Sequence, residues 1–378
     1  MIAAVGLSQH TQPIRAAIEA ARQAAALIPA PQRRMAIVFA AGAHASHPDE
    51  VIAAISEVTG LAGIFGGSGA GVLAASGEVE GDAVVVAIIG GRATIRMRLA
   101  AGLSQDSDAT TSQAVRDLDV ESDGIVLMAF DAMAFLPGAL TAALRRQIPA
   151  GVPALGFGAL ERSGRPWVVA GDAPQSDAMA AMWMKDVRAH WVNAAVGAPL
   201  TPAMTVTRAR GGVIEAIDEQ RAYDVLVRAV KSPMMADLDQ LGRLIFVGLP
   251  GPDETEVLRP LLGVDPYSGA LAIGGAPVAA GQAIRFLLRS PQKARENLQQ
   301  ALQTLKEQLD QEPSLLIFLK GAGRGTELYG EMGGIETALV AAAFPDTPLI
   351  GVFSSCELAP SDVAPAVHLF SATLIALS

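Results

Sequence analysis

Apolar residues occur along the chain in short unbroken runs that are bounded by glycine, proline and polar residues. Runs of this length between turn residues are typical of strands that are buried on both faces of a sheet. A sheet-rich core is therefore expected over most of the chain. The pattern predicts strands at residues 35–41, 83–89, 94–99, 124–130, 153–157, 167–171, 244–249, 315–319, 349–353 and 368–377.

Longer segments with apolar residues on one face predict helices. Residues 13–29 are rich in alanine and are bounded by prolines, with Ile14 and Ile18 on the predicted inward stripe. Residues 291–310 place leucines on one face and charged residues on the other, which is the pattern of an amphipathic helix. Further helices are predicted at residues 49–58, 135–147, 218–230 and 335–343.

A strand, a glycine-bearing loop, a helix and a second strand follow one another in this order at least three times, and a partial copy is expected from residue 244. Because the repeats are long and irregular, they indicate duplicated α/β units and not a solenoid. The length of 378 residues favours two domains. We predict an α/β fold of two similar domains of mixed β-sheets flanked by helices, with internally duplicated strand–loop–helix–strand units. The predicted division is an N-terminal helix at residues 1–30, a first domain at residues 31–210 and a second at residues 211–378.

The composition narrows the class of protein. Hydrophobic residues make up 51% of the chain and charged residues 17%, as in a well-buried globular protein. A net charge of −10 argues against a nucleic-acid partner, because phosphate binding needs a basic surface. The longest apolar stretch, residues 83–89, is too short to cross a membrane, and we expect no export signal. A single cysteine forms no internal disulfide, so we predict a cytoplasmic protein without a membrane partner.

Residues 320–325 carry two cations among three glycines where a buried strand is expected to end. A second predicted strand, residues 349–353, leads into Glu357, so both segments are expected at one edge of a sheet. The guanidinium of Arg324 suits a carboxylate. That carboxylate belongs either to Glu357, as an internal ion pair, or to a ligand, and the sequence leaves both alternatives open.

Two other segments carry candidate chemistry. Residues 66–71 are glycine-rich but match neither a nucleotide-binding pattern nor a hydrolase elbow, so a tight strand exit is the favoured interpretation. Ser68 within them remains a candidate hydrogen-bond donor to a ligand. Cys356 is expected to be either a buried, inert residue or a nucleophile that needs a neighbouring base. His44 and His47 do not complete a metal-binding set, so no metal and no cofactor are predicted.

A group of methionines and tryptophans occurs at helical spacing between residues 179 and 191. Its spacing predicts packing in a core or at a domain interface, and a flexible binding surface is the alternative. The group consists of Met179, Met182, Trp183, Met184 and Trp191.

In their order, these motifs resemble those of the FIST family (F-box and intracellular signal transduction). The C-terminal segments that carry the resemblance are LLIFLKGAGRGTELYGE, PLIGVFSSCELAP and HLFSAT. The N-terminal ones are AIVFAAGAHA and GIFGGSGAGVLAASGEVEGDAVVVAII. By position, the resemblance implies that the family's recurring residues are here Arg324, Gly325, Glu357, His368 and Thr373. The sequence departs from the family pattern at Cys356, where a glycine is expected.

The resemblance implies a sensory module that binds a small ligand and passes a signal to a protein partner. We therefore expect a stand-alone sensory or signal-transduction protein that binds an amino acid or another small carboxylate in a cleft at strand ends. In that cleft Arg324 would bind the carboxylate, and Glu357 would bind the amine. The predicted ligand-binding residues are Arg324, Gly325, Ser355, Cys356, Glu357, Ser68, Gly67, His368 and Thr373.

Two other functions are kept open. One is a hydrolase- or transferase-type enzyme that uses Cys356 or Ser68, although a binding protein is favoured over an enzyme. The other is an interaction scaffold whose methionine- and tryptophan-rich segment binds a partner protein.

Overall fold

A computed structural model describes residues 1–162, 164–230, 238–250, 256–275, 277–330, 334–360 and 365–378. The helices are α1 (Pro13–Ala25), α2 (Pro48–Thr59), α3 (Ser107–Arg116), α4 (Pro137–Gln147), α5 (Ala222–Val230), α6 (Leu238–Leu244), α7 (Pro291–Gln308), α8 (Thr326–Tyr329) and α9 (Ile335–Ala343). The strands are β1 (Ile2–Ser8), β2 (Arg33–Ala41), β3 (Ile64–Gly69), β4 (Val72–Ala74), β5 (Gly77–Val79), β6 (Ala83–Gly90), β7 (Thr94–Ala101), β8 (Ile125–Asp131), β9 (Ala154–Ala159), β10 (Val168–Gly171), β11 (Ala178–Lys185), β12 (Ala189–Ala195), β13 (Gly197–Pro199), β14 (Met204–Arg210), β15 (Val213–Ile217), β16 (Gln220–Arg221), β17 (Ile245–Pro250), β18 (Glu256–Asp265), β19 (Ala270–Ile273), β20 (Ala283–Arg289), β21 (Leu315–Gly321), β22 (Leu349–Ser354), β23 (Glu357–Ala359), β24 (Ala366–His368) and β25 (Ser371–Leu377).

The chain folds as a mixed α/β protein, which confirms the predicted fold class. Contacts between residues divide it into two compact units. Unit 1 contains residues 1–194 and 298–378, and unit 2 contains residues 195–297. This grouping follows contacts alone, and the division of the sequence between residues 210 and 211 stays a prediction.

Unit 1 contains three copies of one arrangement, which we call modules 1, 2 and 3. Each module has two parallel strands joined through a helix, and a third strand that runs antiparallel to the first. The sequence predicted this recurring unit, and the strand pairing shows its three-dimensional form. Module 1 is β2, α2, β3 and β6; module 2 is β8, α4, β9 and β11; module 3 is β21, α9, β22 and β25.

The three modules exchange edge strands in a cycle. Strand β10, which follows β9 of module 2, pairs with β3 of module 1. Strand β23, which follows β22 of module 3, pairs with β9 of module 2. Strand β4, which follows β3 of module 1, pairs with β22 of module 3. Each sheet is therefore completed by a segment from another module, so that the three modules form one structure.

Six backbone hydrogen bonds follow the same cycle where the second strands end. The N–H groups of Ser68, Gly158 and Phe353 donate to carbonyl groups of the following module in the cycle, and carbonyl groups of these same three residues accept in turn. The bonds join Ser68 N to Trp167 O, Gly158 N to Cys356 O, Phe353 N to Gly71 O, Ala70 N to Phe353 O, Leu160 N to Ser68 O and Ser355 N to Gly158 O, at 2.9–3.2 Å.

One glycine in the second strand of each module fixes which residues are equivalent. A Cβ atom built at Gly66, Gly156 or Gly351 would overlap the carbonyl oxygen of the neighbouring first strand, at Val38, Met128 and Phe318 respectively. The three modules therefore superpose on these glycines, and positions can be compared by counting along the strands from them.

Unit 2 contains a closed barrel of six antiparallel strands. The order is β20, β14, β15, β19, β18 and β17, and β17 pairs again with β20 to close the ring. Its core includes Ile214, Leu226, Val247 and Phe286. The partial copy of the module that was expected from residue 244 is wrong, because β17 has two antiparallel neighbours.

Three local predictions differ from the structure. The first thirty residues begin with strand β1, and the buried stripe of α1 consists of alanines while Ile14 is exposed. Four residues of the methionine and tryptophan group, Met179 to Met184, lie in the buried strand β11 and not in a helix. Both faces of that strand are covered, so its apolar residues show no period that distinguishes a strand from a helix.

Candidate functional site

Module 3 differs from its two equivalents where its strands end. The first strands are aligned on Val38, Met128 and Phe318, whose carbonyl groups face the shared glycines. Two residues further along, modules 1 and 2 have Ala40 and Phe130, whereas module 3 has Lys320.

The second strands show the same difference. Three residues after the shared glycine, module 3 has Ser354 in place of Gly69 and Ala159. At these two positions, module 3 has a cation and a hydroxyl group where modules 1 and 2 have nonpolar residues.

Arg324 ends the 3-10 turn that follows β21 and is fully buried. Its Nη2 atom donates to Oε1 of Glu336 at 2.6 Å, and its Nε atom donates to Oε2 at 3.2 Å. Its Nη1 atom donates to the carbonyl oxygen of Ala194 at 2.9 Å. The carboxylate that Arg324 holds therefore belongs to Glu336 and not to Glu357.

Lys320 extends the ion pair toward module 1. Its Nζ atom lies 3.2 Å from Oε2 of Glu336 and 2.8 Å from Oε1 of Glu78, and all three side chains are buried. Glu78 lies in β5 and also accepts hydrogen bonds from the backbone and hydroxyl groups of Thr337. The Tyr329 hydroxyl donates to Oε1 of Glu336 at 2.7 Å. We call Glu78, Lys320, Arg324, Tyr329 and Glu336 the ionic cluster.

The ionic cluster contains two cations and two carboxylates, so its formal charge is zero when all four are ionised. Burial alone would raise the pKa of Glu336, but Arg324 and Lys320 oppose it and hold that pKa at about 2. Burial would lower the pKa of Arg324, but Glu336 outweighs it and the pKa is raised. The central pair is therefore fully ionised at neutral pH.

Glu357 lies beside this cluster as a further buried carboxyl group. Burial raises its pKa to about 7, although hydrogen bonds from Ser371 and Ser354 and the charge of Arg324 act in the opposite direction. The Ser354 hydroxyl donates to Oε1 of Glu357 at 2.7 Å, and the Ser371 hydroxyl donates to Oε2. Glu357 thus changes its charge near neutral pH although it is fully buried.

Gly325 and Thr373 lie on opposite sides of this region. A Cβ atom at Gly325 would overlap the carboxylate of Glu80, which accepts a hydrogen bond from the backbone of Thr326 at 2.7 Å. Thr373 is buried in β25, and its hydroxyl oxygen accepts a hydrogen bond from Asn193 at 2.9 Å. The absence of a side chain at Gly325 therefore leaves room for the close approach of Glu80.

The structure also brings the remaining predicted residues to the strand ends of unit 1. Ser355 is half-buried, and its backbone belongs to the cyclic hydrogen bonds. His368 is buried and is the direct cross-strand neighbour of Glu357. Gly67 and Ser68 lie in β3, where the Ser68 side-chain oxygen accepts a hydrogen bond from the backbone of Trp167 at 3.1 Å. Gly67 and Ser68 have no described contact with the ionic cluster.

Cys356 has the properties of a packed, inert thiol. It is buried, and its Sγ atom would lie 2.7 Å from a Cβ atom at Gly158. Burial, together with the neighbouring charge of Glu357, raises the pKa of the thiol far above its ordinary value. A thiol in this setting is a poor nucleophile because little of it is ionised.

Three cluster residues were missed by reasoning from the sequence. Tyr329 and Glu336 follow Arg324 closely in the sequence, in α8 and α9, so a search for acidic residues near Arg324 would have found Glu336. Glu78 lies 242 positions before Lys320, and only the pairing of β4 with β22 brings it there. Glu331, part of the stretch that carried the family resemblance, lies outside the described residues.

The described residues form an α/β protein with three modules that exchange edge strands, a six-stranded barrel, and a buried ionic cluster at the strand ends of module 3. The chain belongs to the FIST family: the FIST N domain matches residues 34–220 and the FIST C domain matches residues 222–360. This confirms the resemblance found in the sequence. FIST domains are sensory domains of signal transduction.

The chain also matches solved structures at low sequence identity and low TM-score. A crystal structure of cyanuric acid hydrolase from A. caulinodans is 10% identical, with a TM-score of 0.34 over 99% of both chains. A second structure, titled "Cyanuric acid hydrolase: evolutionary innovation by structural concatenation", is 11% identical, with a TM-score of 0.30 over 100% of this chain and 99% of that one. No curated protein matches the chain.

Two features are absent from the described part of the chain. Among the described residues, no group of three or more histidine, cysteine, aspartate or glutamate side chains is arranged to hold a metal ion. Within the same residues, no helix is long and apolar enough to cross a membrane.

Proposed function

We propose that the protein senses a small molecule with a carboxylate group, which binds to Arg324 in exchange for Glu336. The observation that supports this proposal is that the central residues of the ionic cluster, Lys320, Arg324 and Glu336, all lie in module 3, while β5 contributes Glu78. Modules 1 and 2 form the same strands and the same cyclic hydrogen bonds with alanine, phenylalanine and glycine at the equivalent positions. The same strands thus form without these charges in modules 1 and 2, so we assign the charges of module 3 to function.

Energetic considerations support the same assignment. Removing a charged pair from water costs several kcal/mol per ion, and apolar residues of similar size are often as stabilising or more so. The side chains of Glu78, Lys320, Arg324 and Glu336 are each at most 2% exposed. Stabilisation of the fold is therefore a weak explanation for the ionic cluster, and recognition of a charged ligand is a stronger explanation.

The geometry of the Arg324–Glu336 pair is the geometry that a ligand carboxylate would adopt. Two N–H groups of one guanidinium face two oxygens of one carboxylate, which is the usual bidentate arrangement. In the proposed exchange, the ligand takes these bonds and Glu336 keeps its contact with Lys320. Glu336 lies in the first turn of α9, so its release would shift the start of that helix.

A ligand amine would be received by Glu357. This carboxyl group lies within the electrostatic influence of Arg324, and its pKa of about 7 leaves it partly protonated at neutral pH. A positively charged amine beside it would favour the ionised form. The ligand would then be an amino acid, and the shift of α9 would be the change that a signalling partner reads.

A thermal-shift comparison of the wild type, Glu336→Gln and Arg324→Gln tests the exchange. Glutamine keeps the shape of Glu336 but removes the charge that competes with a ligand, so acetate and alanine should raise the melting temperature of Glu336→Gln more than that of the wild type. At a ligand concentration of one hundred times Kd, the stabilisation is about 2.7 kcal/mol. Arg324→Gln should show no ligand-dependent shift.

Acetamide is the matched control ligand, since it has the shape of acetate without the charge. Equal shifts with acetate and acetamide, or an acetate shift that persists in Arg324→Gln, would overturn the proposal. If Arg324→Gln does not fold, the comparison of acetate with acetamide on Glu336→Gln still tests whether the site binds a carboxylate. A wild type and a Glu336→Gln that are both insensitive to carboxylates would make the ion pair purely structural.

A further inference from the structure

We infer that the mouth of the barrel in unit 2 is a second small-molecule site, which takes a compound with one carboxylate and one ammonium group on a short aliphatic chain. The inference rests on unit 2 alone and is independent of the exchange proposed for Arg324. An open pocket of about 380 Å³ lies at this end of the barrel, and Asp218, Gln220 and Arg228 on its wall are exposed. That volume falls within the range of small-molecule sites, and barrel mouths are common places for them.

Three segments of unit 2 form the wall of this cavity. The segment that leads into β14 contributes Leu200, Thr201 and Met204, the first residue of that strand. The segment after β15 contributes Asp218 from the turn and Gln220 from β16, and α5 contributes Val225, Arg228 and Ala229. The wall therefore combines aliphatic side chains with one cation, one carboxylate and two neutral polar groups.

Arg228 and Thr201 supply donors for an anionic group. One N–H group of Arg228 donates to the side-chain oxygen of Gln220, which orients the guanidinium and leaves further N–H groups for a ligand. The Thr201 hydroxyl oxygen accepts a hydrogen bond from the backbone of Phe286 at 3.0 Å, so its proton is available to donate. A carboxylate at this side of the cavity would receive charge-assisted hydrogen bonds.

Asp218 supplies the acceptor, and the backbone holds it in a strained position. Asp218 and Glu219 form the turn between β15 and β16 with φ angles of 46° and 60°, in the region that two-residue hairpins usually fill with asparagine and glycine. Thr205 holds the turn from both sides: its N–H donates to Oδ1 of Asp218 at 2.9 Å, and its carbonyl accepts from the Asp218 N–H at 2.9 Å. Strain of this kind is concentrated at binding sites.

The charges of the wall determine the class of ligand. A simple anion would meet the carboxylate of Asp218, and a simple cation would meet Arg228, so neither matches the whole cavity. A zwitterion presents its carboxylate to Arg228 and its ammonium group to Asp218, while Leu200, Met204 and Val225 cover an aliphatic chain. An aliphatic amino acid of the size of leucine has this chemistry.

Equilibrium dialysis of the full-length protein with radiolabelled leucine tests the inference. Arg228→Gln and Asp218→Asn should each weaken binding roughly tenfold or more, since each removes one charge-assisted contact. The control is Arg208→Gln, an exposed arginine of the same barrel that pairs with Glu215 and does not line the cavity. That variant should bind like the wild type.

Two competitors separate the charge contacts. 4-Methylpentanoate lacks the ammonium group and should lose affinity only in Arg228→Gln, and 3-methylbutylamine lacks the carboxylate and should lose affinity only in Asp218→Asn. No leucine binding at millimolar concentration, or equal binding in both variants and the wild type, would overturn the inference. Leucine binding that is lost in Arg324→Gln but kept in Arg228→Gln would instead place the ligand in unit 1.

Discussion

The strand ends of module 3 and those of modules 1 and 2 share a backbone but not a chemistry. All three contain the same glycine beside a neighbouring carbonyl and the same cyclic hydrogen bonds. Among the described residues, module 3 adds the Arg324–Glu336 pair and Lys320, which pairs with Glu78 of β5. The glycines and cyclic hydrogen bonds are repeated in every module, so we assign them to the fold. The ion pairs occur in one copy, so they are the candidates for function.

His44 of module 1 extends this comparison. It occupies the position of Arg324, three residues after the end of the equivalent first strand, and it is also fully buried. Its Nε2 atom lies 2.7 Å from the carbonyl oxygen of His10, much as Nη1 of Arg324 contacts Ala194. Module 1 has no counterpart of the Glu336 carboxylate in its described contacts, so one polar position is shared while the ion pair is not.

The largest expected effect comes from breaking the ion pair of module 3. Glu336→Ala leaves Arg324 buried without its carboxylate, and a loss of one partner of a buried pair costs about 3–5 kcal/mol. Urea unfolding of the variant and the wild type measures this loss in the free energy of unfolding. A loss below about 1 kcal/mol would show that water or another group replaces the carboxylate at little cost.

Replacing the whole cluster is the matched control for that variant. The combination of Glu78→Leu, Lys320→Met, Arg324→Leu and Glu336→Leu makes module 3 resemble the apolar modules 1 and 2. Such a replacement should be neutral or stabilising by about 1–4 kcal/mol, because no charge is left unpaired. A combined variant that fails to fold would mean that the charges of module 3 are needed for its structure.

A pH dependence specific to module 3 is the next expected effect. The folded pKa of Glu357, about 7, lies above its ordinary value of 4.5, so the folded state binds more protons between these values. Its contribution to stability is fully present below pH 4.5 and is lost as the pH rises through 7, by about 3 kcal/mol in all. Between pH 5 and pH 8 the wild type should therefore lose stability relative to Glu357→Gln.

Urea unfolding at several pH values measures that difference. Glu336, whose pKa is about 2, acts in the opposite direction: its contribution is lost as the pH falls through 4.5 toward 2. The window from pH 5 to pH 8 therefore isolates Glu357. Parallel profiles for the wild type and Glu357→Gln would contradict the raised pKa.

The glycine that faces a backbone carbonyl in all three modules should respond similarly to substitution in each module. Gly351→Ala and Gly156→Ala place a methyl group against a backbone carbonyl of the neighbouring strand, which should cost about 1–3 kcal/mol in either module. Gly81→Ala is the control, since nothing lies within 4 Å of a Cβ atom there. Thermal unfolding measures the loss of stability in each variant. A loss in only one of the two variants would show that the glycines of the modules are not equivalent.

The smallest expected effect concerns Cys356. Its thiol is buried and its pKa is raised, so it should not react with iodoacetamide in the folded protein and should react once urea unfolds the chain. Mass spectrometry of the alkylated protein distinguishes these outcomes. Rapid alkylation of the folded protein would contradict the inert assignment and would favour the alternative of an enzyme that uses this thiol.

The local elements of module 3 could be predicted from the sequence. The apolar run that begins at Leu315 is the buried strand β21, and the helix predicted at residues 335–343 is α9. Such runs between turn residues carry their own signal, because burial of both faces requires uninterrupted apolar residues. The expectation that Arg324 and Glu357 lie at the same strand ends came from the same reasoning.

The partners of the charged groups could not be predicted, because they depend on which strands pair. Glu78 reaches Lys320 only through the hairpin of β4 and β5, which lies next to β22 of another module. The barrel of unit 2 depends in the same way on the pairing of β17 with β20. Hydrophobic pattern determines that a strand is buried, but it does not select the neighbour.

The exchange of edge strands has a consequence for synthesis on the ribosome. Strand β4 is made early, whereas its partner β22 is among the last segments to leave the ribosome, after all of unit 2. Contacts this distant in sequence form slowly, and until they form β9 lacks β23 along one edge. Open sheet edges pair readily with other chains. A nascent chain halted before residue 315 should therefore depend on chaperones to stay soluble, even though most of its residues have already been made.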